Sequence, residues 1–241
     1  MAFAHLHVHT EYSLLDGSNK IKEYVKRVKE LGMTAAAITD HGAMYGVIDF
    51  YRAARAEGIN PILGCEVYVA PNSRFDREIT GGDDRYYHLV LLAENNTGYY
   101  YKPRVDMEVL EEFHEGIIAL SACLAGEVPR YIQKGLPEEA KKCALKYQSI
   151  FGKDNYFLEL QDHGIPEQQT VNMALLQMSR ELDIPLVCTN DVHYTYAEDA
   201  KPHDILLCIQ TGKKLSDENR MRYEGGQYFV KSEEEMKGLF P

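Results

Sequence analysis

The stretch AAAITDHGAMYGVIDFY, residues 35–51, predicts a strand followed by a helix. Its first part, Ala35–Thr39, is short and apolar, as strands buried in a parallel sheet usually are. A helix over Gly46–Glu57 follows, and its apolar face carries Val47, Phe50 and Ala54. Between the two stands Asp40-His41-Gly42, at the carboxyl end of the strand, where α/β proteins place their functional sites. Taken alone, these residues are better explained as an Asx turn in which Asp40 caps the helix and His41 is merely exposed.

The same alternation of strand and helix extends in both directions along the chain. Seven short apolar segments are predicted as strands: Ala4–His9, Ala35–Thr39, Ile62–Val69, Tyr87–Ala93, Ile117–Ser121, Tyr156–Leu160 and Pro185–Thr189. Helices are predicted at Ser18–Leu31, Gly46–Glu57, Pro137–Phe151, Pro166–Leu182 and Pro202–Gln210. In the first helix, Ser18 is the expected N-cap and Gly32 the expected end. This alternation favours an α/β fold with a parallel sheet, and periodicity leaves open whether that sheet closes into a barrel.

Composition narrows the class of protein. A chain of 241 residues with 45% hydrophobic content suits one domain of α/β-barrel size or two small domains. The sequence lacks a membrane-length apolar run, a secretory signal and any CxxC pair among its five cysteines. We therefore expect reduced thiols, a cytoplasmic location and no membrane partner. A net charge of −11 argues against gripping nucleic acid by charge alone, although bound divalent cations would reverse the local sign.

The motif His-Leu-His-Val-His, residues 5–9, offers the first candidate metal ligands. On a strand, His7 and His9 point to the same face because their spacing is i, i+2. Neutral imidazole is a common ligand for Zn, Mn and Fe. The alternative is a surface strand with alternating histidines, since two ligands do not make a site. His5 shares the face and either extends the group or flanks it.

Further candidates lie at or near the ends of the predicted strands: Asp16, His41, Glu66, His88, Cys123, Asp191 and His193. Each of them alone is explained by an ordinary role, such as a turn, a satisfied histidine, an edge carboxylate or a small buried thiol. Together, these residues are concentrated at the carboxyl ends of the predicted strands, and those ends form the functional face of a parallel α/β barrel. Only His88 departs from this rule, because it stands early in its strand.

The mixture of donors indicates several divalent ions rather than one structural zinc, which needs only four ligands. Two or three ions (Zn, Mn, Mg or Fe) a few ångström apart would clamp an in-line displacement at phosphorus. The sequence contains neither a GxSxG nucleophile motif nor a GxxxxGK[ST] phosphate loop that would indicate a different chemistry. These residues therefore predict a metal-dependent phosphoesterase.

Six segments resemble the PHP (polymerase and histidinol phosphatase) domain in order and content: HLHVHTEYSLLDG, AAAITDHGAMYGVIDFY, GCEVYV, YYHLVLLA, ALSACLAGEV and TNDVHY. More closely, they resemble the PHP domains at the N-terminus of bacterial DNA polymerase III alpha subunits, over nearly the whole chain. The resemblance implies a distorted seven-stranded (β/α)7 barrel with a trinuclear metal site, and a single domain over residues 1–241 of a larger polymerase. The family's nine ligand positions then fall on His7, His9, Asp16, His41, Glu66, His88, Cys123, Asp191 and His193.

An intact ligand set implies a 3′–5′ proofreading exonuclease that acts on the 3′ end of a DNA primer. The implied partners are the remaining polymerase domains and, through the full-length protein, a proofreading subunit and a sliding clamp. Two alternatives stay open: a non-catalytic module that stabilises the polymerase and docks a separate proofreading subunit, and a small-molecule phosphatase of the histidinol-phosphate type. Compared with the family, the stretch 95–106 is expected to be shortened, and the chain stops before any polymerase palm. Candidate phosphate contacts, each with a solvated loop as the alternative, are Lys102, Arg104 and His163.

Overall fold

The computed structural model describes residues 3–76, 86–95 and 104–240. Its helices are α1 (Ile21–Glu30), α2 (Val47–Ala56), α3 (Met107–Glu112), α4 (Glu127–Gln133), α5 (Pro137–Phe151), α6 (Pro166–Leu182), α7 (Ala200–Thr211) and α8 (Glu233–Leu239). Its strands are β1 (Ala35–Ile38), β2 (Asn60–Val69), β3 (Tyr87–Ala93), β4 (Arg104–Val105), β5 (Ile117–Leu120), β6 (Tyr156–Leu160) and β7 (Leu186–Cys188). In the described ranges, no helix is both long enough and apolar enough to cross a membrane.

The chain forms two compact units. The first, here the terminal unit, comprises Met1–Leu63, Asp162–Ile165 and Thr189–Pro241. The second, here the central unit, comprises Gly64–Gln161 and Pro166–Cys188. The prediction of a single domain over residues 1–241 stays a prediction.

The core of the terminal unit forms where α1, α2 and β1 bring their apolar faces together. The face predicted for α2 is confirmed, since Val47, Phe50 and Ala54 are all buried. β1 pairs in parallel with the first residues of β2, from Ala35 opposite Asn60 to Ile38 opposite Leu63. Burying these faces fixes β1 against the core, and the loop that follows β1 carries Asp40 and His41.

The predicted strand Ala4–His9 is only partly formed, with a single parallel bridge between Val8 and Val192. Val8 N donates to Thr39 Oγ1 at 2.8 Å, so a side chain takes the place of a backbone partner and interrupts the ladder beside β1. The segment is held on its other side, because His9 N donates to Val192 O at 2.7 Å and Val192 N donates to His7 O at 3.0 Å. These bonds fix the backbone that carries His7 and His9.

The start of the first helix was predicted wrongly. α1 begins at Ile21 with Lys20 as its N-cap residue, and no side chain caps it. Ser18 instead donates its hydroxyl to the carbonyl of His193 at 3.2 Å, which ties two loops together. The predicted spans of α5 and α6 are confirmed, and α7 contains the predicted Pro202–Gln210.

The central unit contains a mixed sheet, so the all-parallel sheet predicted from the sequence is wrong. β3 runs antiparallel to both β2 and β5, whereas β5, β6 and β7 pair in parallel and β4 pairs in parallel with β2. The exceptional position of His88 follows from this reversal. Early residues of an antiparallel strand lie beside late residues of its neighbour, and His88 is the register partner of Tyr68 near the end of β2.

Three short helices and one two-residue strand were not predicted: α3, α4, α8 and β4. Each is too short for periodicity to distinguish it from a loop. α3 and α8 nevertheless carry cap signals, because Asp106 accepts from Val109 N at 3.2 Å and Ser232 forms a capping box with Glu235. Most of the stretch 95–106, including Lys102, lies outside the described residues, as does the side chain of Arg104.

Candidate metal centre

Six of the nine predicted ligands belong to the terminal unit, and their side chains converge there: His7, His9, Asp16, His41, Asp191 and His193. We call them the terminal cluster. Within it, Nε2 of His7 lies 3.1 Å from Nε2 of His9, and each nitrogen lies 3.2 Å from Oδ1 of Asp191. Atoms that share one ion at about 2.1 Å stand roughly 3.0–3.4 Å apart in octahedral or tetrahedral shells. The three donor atoms therefore have the mutual spacing of ligands to a single cation.

A second group in the same cluster centres on Asp16. Its Oδ2 lies 2.8 Å from Nε2 of His41 and 3.1 Å from Nε2 of His193. Donor atoms of His9, Asp16, His41 and His193 all lie within 4.8 Å of one another. His9 therefore lies beside both groups, and its one available lone pair can serve a single ion of either group.

Hydrogen bonds behind His9 decide which of its nitrogens faces the cluster. The hydroxyl of Ser13 donates to Asp40 Oδ1 at 2.8 Å and accepts the backbone N–H of His41 at 3.1 Å. Because its own hydrogen is committed to Asp40, Ser13 accepts from His9 Nδ1, 3.1 Å away. His9 thus carries its proton on Nδ1 and presents the lone pair of Nε2 to the cluster.

Asp40 has a different role from the helix cap that was the alternative reading of its motif. The helix α2 begins after Gly46 without a side-chain cap. The carboxylate of Asp40 instead accepts from Thr10 N at 2.6 Å, from Thr10 Oγ1 at 2.8 Å and from Ser13. It therefore holds the loop that follows His9.

A sharp backbone turn, and not the alternation of side chains along a strand, brings Asp191 and His193 into the terminal cluster. Asp191 has φ +44°, in the left-handed region that non-glycine residues rarely occupy, so the chain turns sharply at this point. The preceding Asn190 holds the turn by donating its amide to Gln227 O at 2.9 Å and Phe229 O at 2.8 Å. The turn also lets His193 Nδ1 donate to the carbonyl of Asp191 at 2.8 Å, which leaves Nε2 facing Asp16.

The electrostatics of the terminal cluster suit a cation. Burial works to raise the pKa of Asp16, but His193 and His41 outweigh it and hold that pKa well below its usual range. Burial likewise works to lower the pKa of His193, yet Asp191 and Asp16 raise it overall. Nε2 of His193 and Oδ2 of Asp16 are both electron-pair donors only 3.1 Å apart. Such a pair needs a proton or a metal ion between its members, so the donor set fits divalent cations.

The other three predicted ligands come together in the central unit: Glu66, His88 and Cys123. We call them the central cluster. Nδ1 of His88 lies 3.0 Å from Oε1 of Glu66 and 3.7 Å from Sγ of Cys123. Glu66 is 1% exposed within an otherwise apolar strand, and burying a carboxylate there requires compensation by a cation or a hydrogen-bond network. Nδ1 of His88 thus stands beside both an oxygen donor and a sulfur donor.

The loop after β5 aims Cys123 through two special backbone positions. Ala122 takes φ +62°, and a Cβ on Gly126 would stand 2.1 Å from the carbonyl oxygen of Ser121. Only glycine allows this close approach of the backbone, so the loop folds back tightly around Cys123. All five cysteines are free thiols, as expected from the sequence.

Two sequence candidates take other partners. His5 hydrogen-bonds through Nε2 to the carbonyl of Lys231 at 2.9 Å, and burial lowers its pKa to about 4. It flanks the terminal cluster. His163 is 2% exposed, so the solvated loop offered as its alternative is wrong. Its Nε2 lies 2.9 Å from Asn190 O, and its ring stacks on Tyr228 with centroids 3.7 Å apart.

Sequence reasoning missed residues that contact the terminal cluster. Tyr223 Oη lies 3.2 Å from Asp16 Oδ1 and 3.0 Å from His193 Nε2. His203 Nε2 donates to the carbonyl of Asp16 at 2.6 Å, and burial together with His193 lowers its pKa to about 4. Ser13, which also contacts the cluster, lies inside HLHVHTEYSLLDG, the first segment that resembles the PHP domain. Tyr223 lies in the polar tail, whose residue pattern does not predict a functional role.

Imidazoles and carboxylates crowded at loops beyond short strands define an α/β protein with a candidate metal centre. The chain belongs to the PHP domain family, whose model matches residues 5–163. It is 49% identical to the DNA polymerase III subunit alpha of Treponema pallidum over 256 residues, covering 100% of this chain and 22% of that protein. Against the same subunit of Thermus aquaticus the identity is 43%, covering 100% of this chain and 21% of the relative. The chain thus spans about a fifth of the length of these relatives.

Solved structures share the fold at low identity. A protein from Bifidobacterium adolescentis, assigned by prediction as a metal-dependent phosphoesterase, is 15% identical with a TM-score of 0.55, covering 79% of this chain and 87% of its own. An amidohydrolase from Chromobacterium violaceum, with bound sulfate and no metal, is 13% identical with the same TM-score, covering 80% and 88%. These likenesses confirm the predicted α/β fold of the PHP type.

Proposed function

We propose that this chain is the PHP domain of a DNA polymerase III alpha subunit and acts as a metal-dependent 3′–5′ exonuclease on the 3′ end of a DNA primer. The nine residues of the terminal and central clusters are proposed to hold two or three divalent ions (Zn, Mn, Mg or Fe). The observation that carries the proposal is the triangle of His7, His9 and Asp191, whose donor atoms lie 3.1–3.2 Å apart with no room for another side chain between them.

The chain's own residues prepare such a site in three ways. Ser13 and the carbonyl of Asp191 hold the Nδ1 protons of His9 and His193, which directs both Nε2 lone pairs into the terminal cluster. Asp16 and Asp191 stay ionised because the neighbouring imidazoles hold their pKa values far below the usual range despite burial. Bound ions would supply Lewis acidity and a water of lowered pKa.

Charge favours the same interpretation. With a net charge of −11, the chain as a whole repels a DNA phosphate, so a primer end would be attracted only where cations neutralise the clustered carboxylates. All nine proposed ligand positions carry donor atoms. The alternative of a non-catalytic docking module, which is expected to have lost ligands, therefore has no support in the residues present.

The relatives support the wider setting of the proposal. Because the chain spans about a fifth of the polymerase subunits it resembles, the proposed partners are the remaining polymerase domains and, through them, a proofreading subunit and a sliding clamp. We propose a cytoplasmic location, where bacterial replication takes place.

The experiment compares 3′ resection of single-stranded and 3′-mismatched primer DNA by the metal-loaded chain, with and without chelator. We expect nucleotides to be released from the 3′ end, chelator to stop the release, and His9→Ala to abolish it. His114→Ala is the matched control, because His114 lies on a loop of the central unit with Nδ1 near the carbonyl of Glu111. A parallel assay with a phosphomonoester tests the phosphatase alternative. Resection by His9→Ala equal to that of the loaded wild type would refute the exonuclease.

A further inference from the structure

Tyr223 brings a phenol hydroxyl into the terminal cluster from a part of the chain that lies beyond the family match. Its Oη lies 3.2 Å from Asp16 Oδ1 and 3.0 Å from His193 Nε2. The family model ends at residue 163, sixty residues before this tyrosine. This tyrosine is half-buried, and its single hydroxyl hydrogen can be donated to only one of the two proposed ligands.

The hydrogen bonds of the neighbouring groups determine which atom accepts the hydroxyl hydrogen of Tyr223. His193 Nδ1 already donates to the carbonyl of Asp191, so Nε2 is the nitrogen available to a metal. Once that lone pair is engaged by a metal, Tyr223 Oη donates its hydrogen to Asp16 Oδ1, 3.2 Å away. The other oxygen of the same carboxylate, Oδ2, is the one that faces His41 and His193, at 2.8 and 3.1 Å.

We propose that Tyr223 is a positioning residue of the metal centre, which reserves Asp16 Oδ1 for a hydrogen bond and so makes Asp16 a one-oxygen ligand through Oδ2. The inference rests on the proposed function, because it assumes that Asp16 binds a metal. A carboxylate free to rotate would alternate between one-oxygen and two-oxygen binding. Fixing one oxygen removes that freedom and keeps the other oxygen oriented toward the ion.

Ring packing and a tight glycine turn hold the hydroxyl of Tyr223 in place. The ring of Tyr223 packs edge-on against Tyr228, with centroids 4.6 Å apart, and against His203, with centroids 5.0 Å apart. His203 is itself fixed by its bond to the carbonyl of Asp16. Gly225 and Gly226 then turn the chain with φ of +80° and +63°. A Cβ on Gly225 would stand 2.9 Å from the carbonyl oxygen of His163, so the turn requires glycine.

The return of the chain after this turn anchors the tail to the loop that carries Asp191. Phe229 bridges to Tyr194, and Val230 N donates to Thr195 O at 3.3 Å. Asn190 receives Lys231 Nζ at 3.0 Å on its side-chain oxygen. Residues 223–231 of the polar tail are therefore tied to the terminal cluster and to the loop of Asp191, whereas residues 213–222 are mostly exposed.

The test measures the affinity of the whole chain for Co²⁺ by competition with a chromophoric chelator, together with the visible absorption of bound Co²⁺. Tyr223→Phe keeps the ring and removes the hydroxyl. We expect it to bind Co²⁺ roughly 10–100-fold more weakly, the usual effect of removing a partner that orients a ligand, with a changed absorption band. Thermal unfolding of the metal-free chain should be nearly unchanged, which separates positioning from folding.

Two further variants distinguish the possible failures. Tyr12→Phe is the matched control, because Tyr12 donates its hydroxyl to Asp49, a carboxylate outside the cluster, at 3.1 Å; it should bind Co²⁺ as the wild type does. Asp16→Asn should bind more weakly than Tyr223→Phe. If Asp16→Asn loses affinity and Tyr223→Phe does not, the positioning role is refuted while the metal site stands. If the wild type binds no Co²⁺, both proposals fail. If Asp16→Asn binds as tightly as the wild type, Asp16 is not a ligand and the positioning role fails.

Discussion

Replacing Ser13 by alanine removes the hydroxyl that connects the two sides of the terminal cluster. Its oxygen accepts from His9 Nδ1 and from the backbone N–H of His41, both at 3.1 Å, and its hydrogen goes to Asp40 at 2.8 Å. Ser13→Ala deprives two donors of this acceptor, one of them on a fully buried imidazole. Since a buried donor left without its acceptor costs about 1–3 kcal/mol, the free energy of unfolding should fall by about 2–4 kcal/mol.

A second effect of the same variant is specific to metal binding. Without Ser13, the proton of His9 is no longer confined to Nδ1, and the tautomer with Nε2 protonated cannot bind a cation. We expect the affinity for Co²⁺ to fall roughly 10–100-fold. Urea unfolding of the metal-free chain and chelator competition measure the two effects separately.

The control for Ser13→Ala is Ser149→Ala, because Ser149 donates its hydroxyl to the carbonyl of Lys146 on an exposed helix surface. It should change stability by no more than about 0.5 kcal/mol and leave metal affinity unchanged. If Ser13→Ala behaves like this control in both measurements, the assignment of the His9 proton to Nδ1 is wrong.

Two other substitutions test the surroundings of the cluster. Burial lowers the pKa of the Lys231 ammonium from 10.5 to about 8, so the unfolded chain holds that proton more tightly. Between pH 8 and 10.5 the free energy of unfolding should therefore rise by up to ~3 kcal/mol. Lys231→Met should lack this rise in urea titrations, and equal pH slopes for the two proteins would contradict the assignment. Gly17→Ala places a Cβ 2.4 Å from the carbonyl oxygen of Thr10, and should cost about 1–3 kcal/mol in urea unfolding. Gly238→Ala, with no atom within 4 Å, should cost nothing; similar losses in both glycine variants would refute the steric argument.

The sequence was sufficient for features set by local pattern. The apolar face of α2 and the bounds of α5 and α6 followed from helical spacing and from proline at the first turn. The i, i+2 spacing of His7 and His9 correctly predicted that both imidazoles lie together, since their Nε2 atoms are 3.1 Å apart. In each case, residues close in the chain determine the result.

Features set by distant contacts escaped prediction. The reversal of β3 depends on pairing with β2 and β5, and periodicity looks the same in either direction, so His88 seemed misplaced. Ser18 is an acceptable N-cap in isolation, but the carbonyl of His193, 175 residues away, takes its hydroxyl. Tyr223 contacts Asp16, from which it is 207 residues distant in sequence, and a turn of two glycines follows it. The residue pattern of the polar tail does not predict that contact.

The central claim is that these side chains bind divalent ions, and counting the metals tests it most directly. The whole chain would be loaded with Zn²⁺ or Mn²⁺, freed of excess ions and assayed by elemental analysis beside Asp191→Asn. Asp217→Asn is the control, because Asp217 accepts from Lys214 N at an exposed turn. We expect two or three ions per chain in the wild type and the control, and at least one fewer in Asp191→Asn. A wild type that retains no ion, or an Asp191→Asn variant that retains as many as the wild type, would contradict the claim.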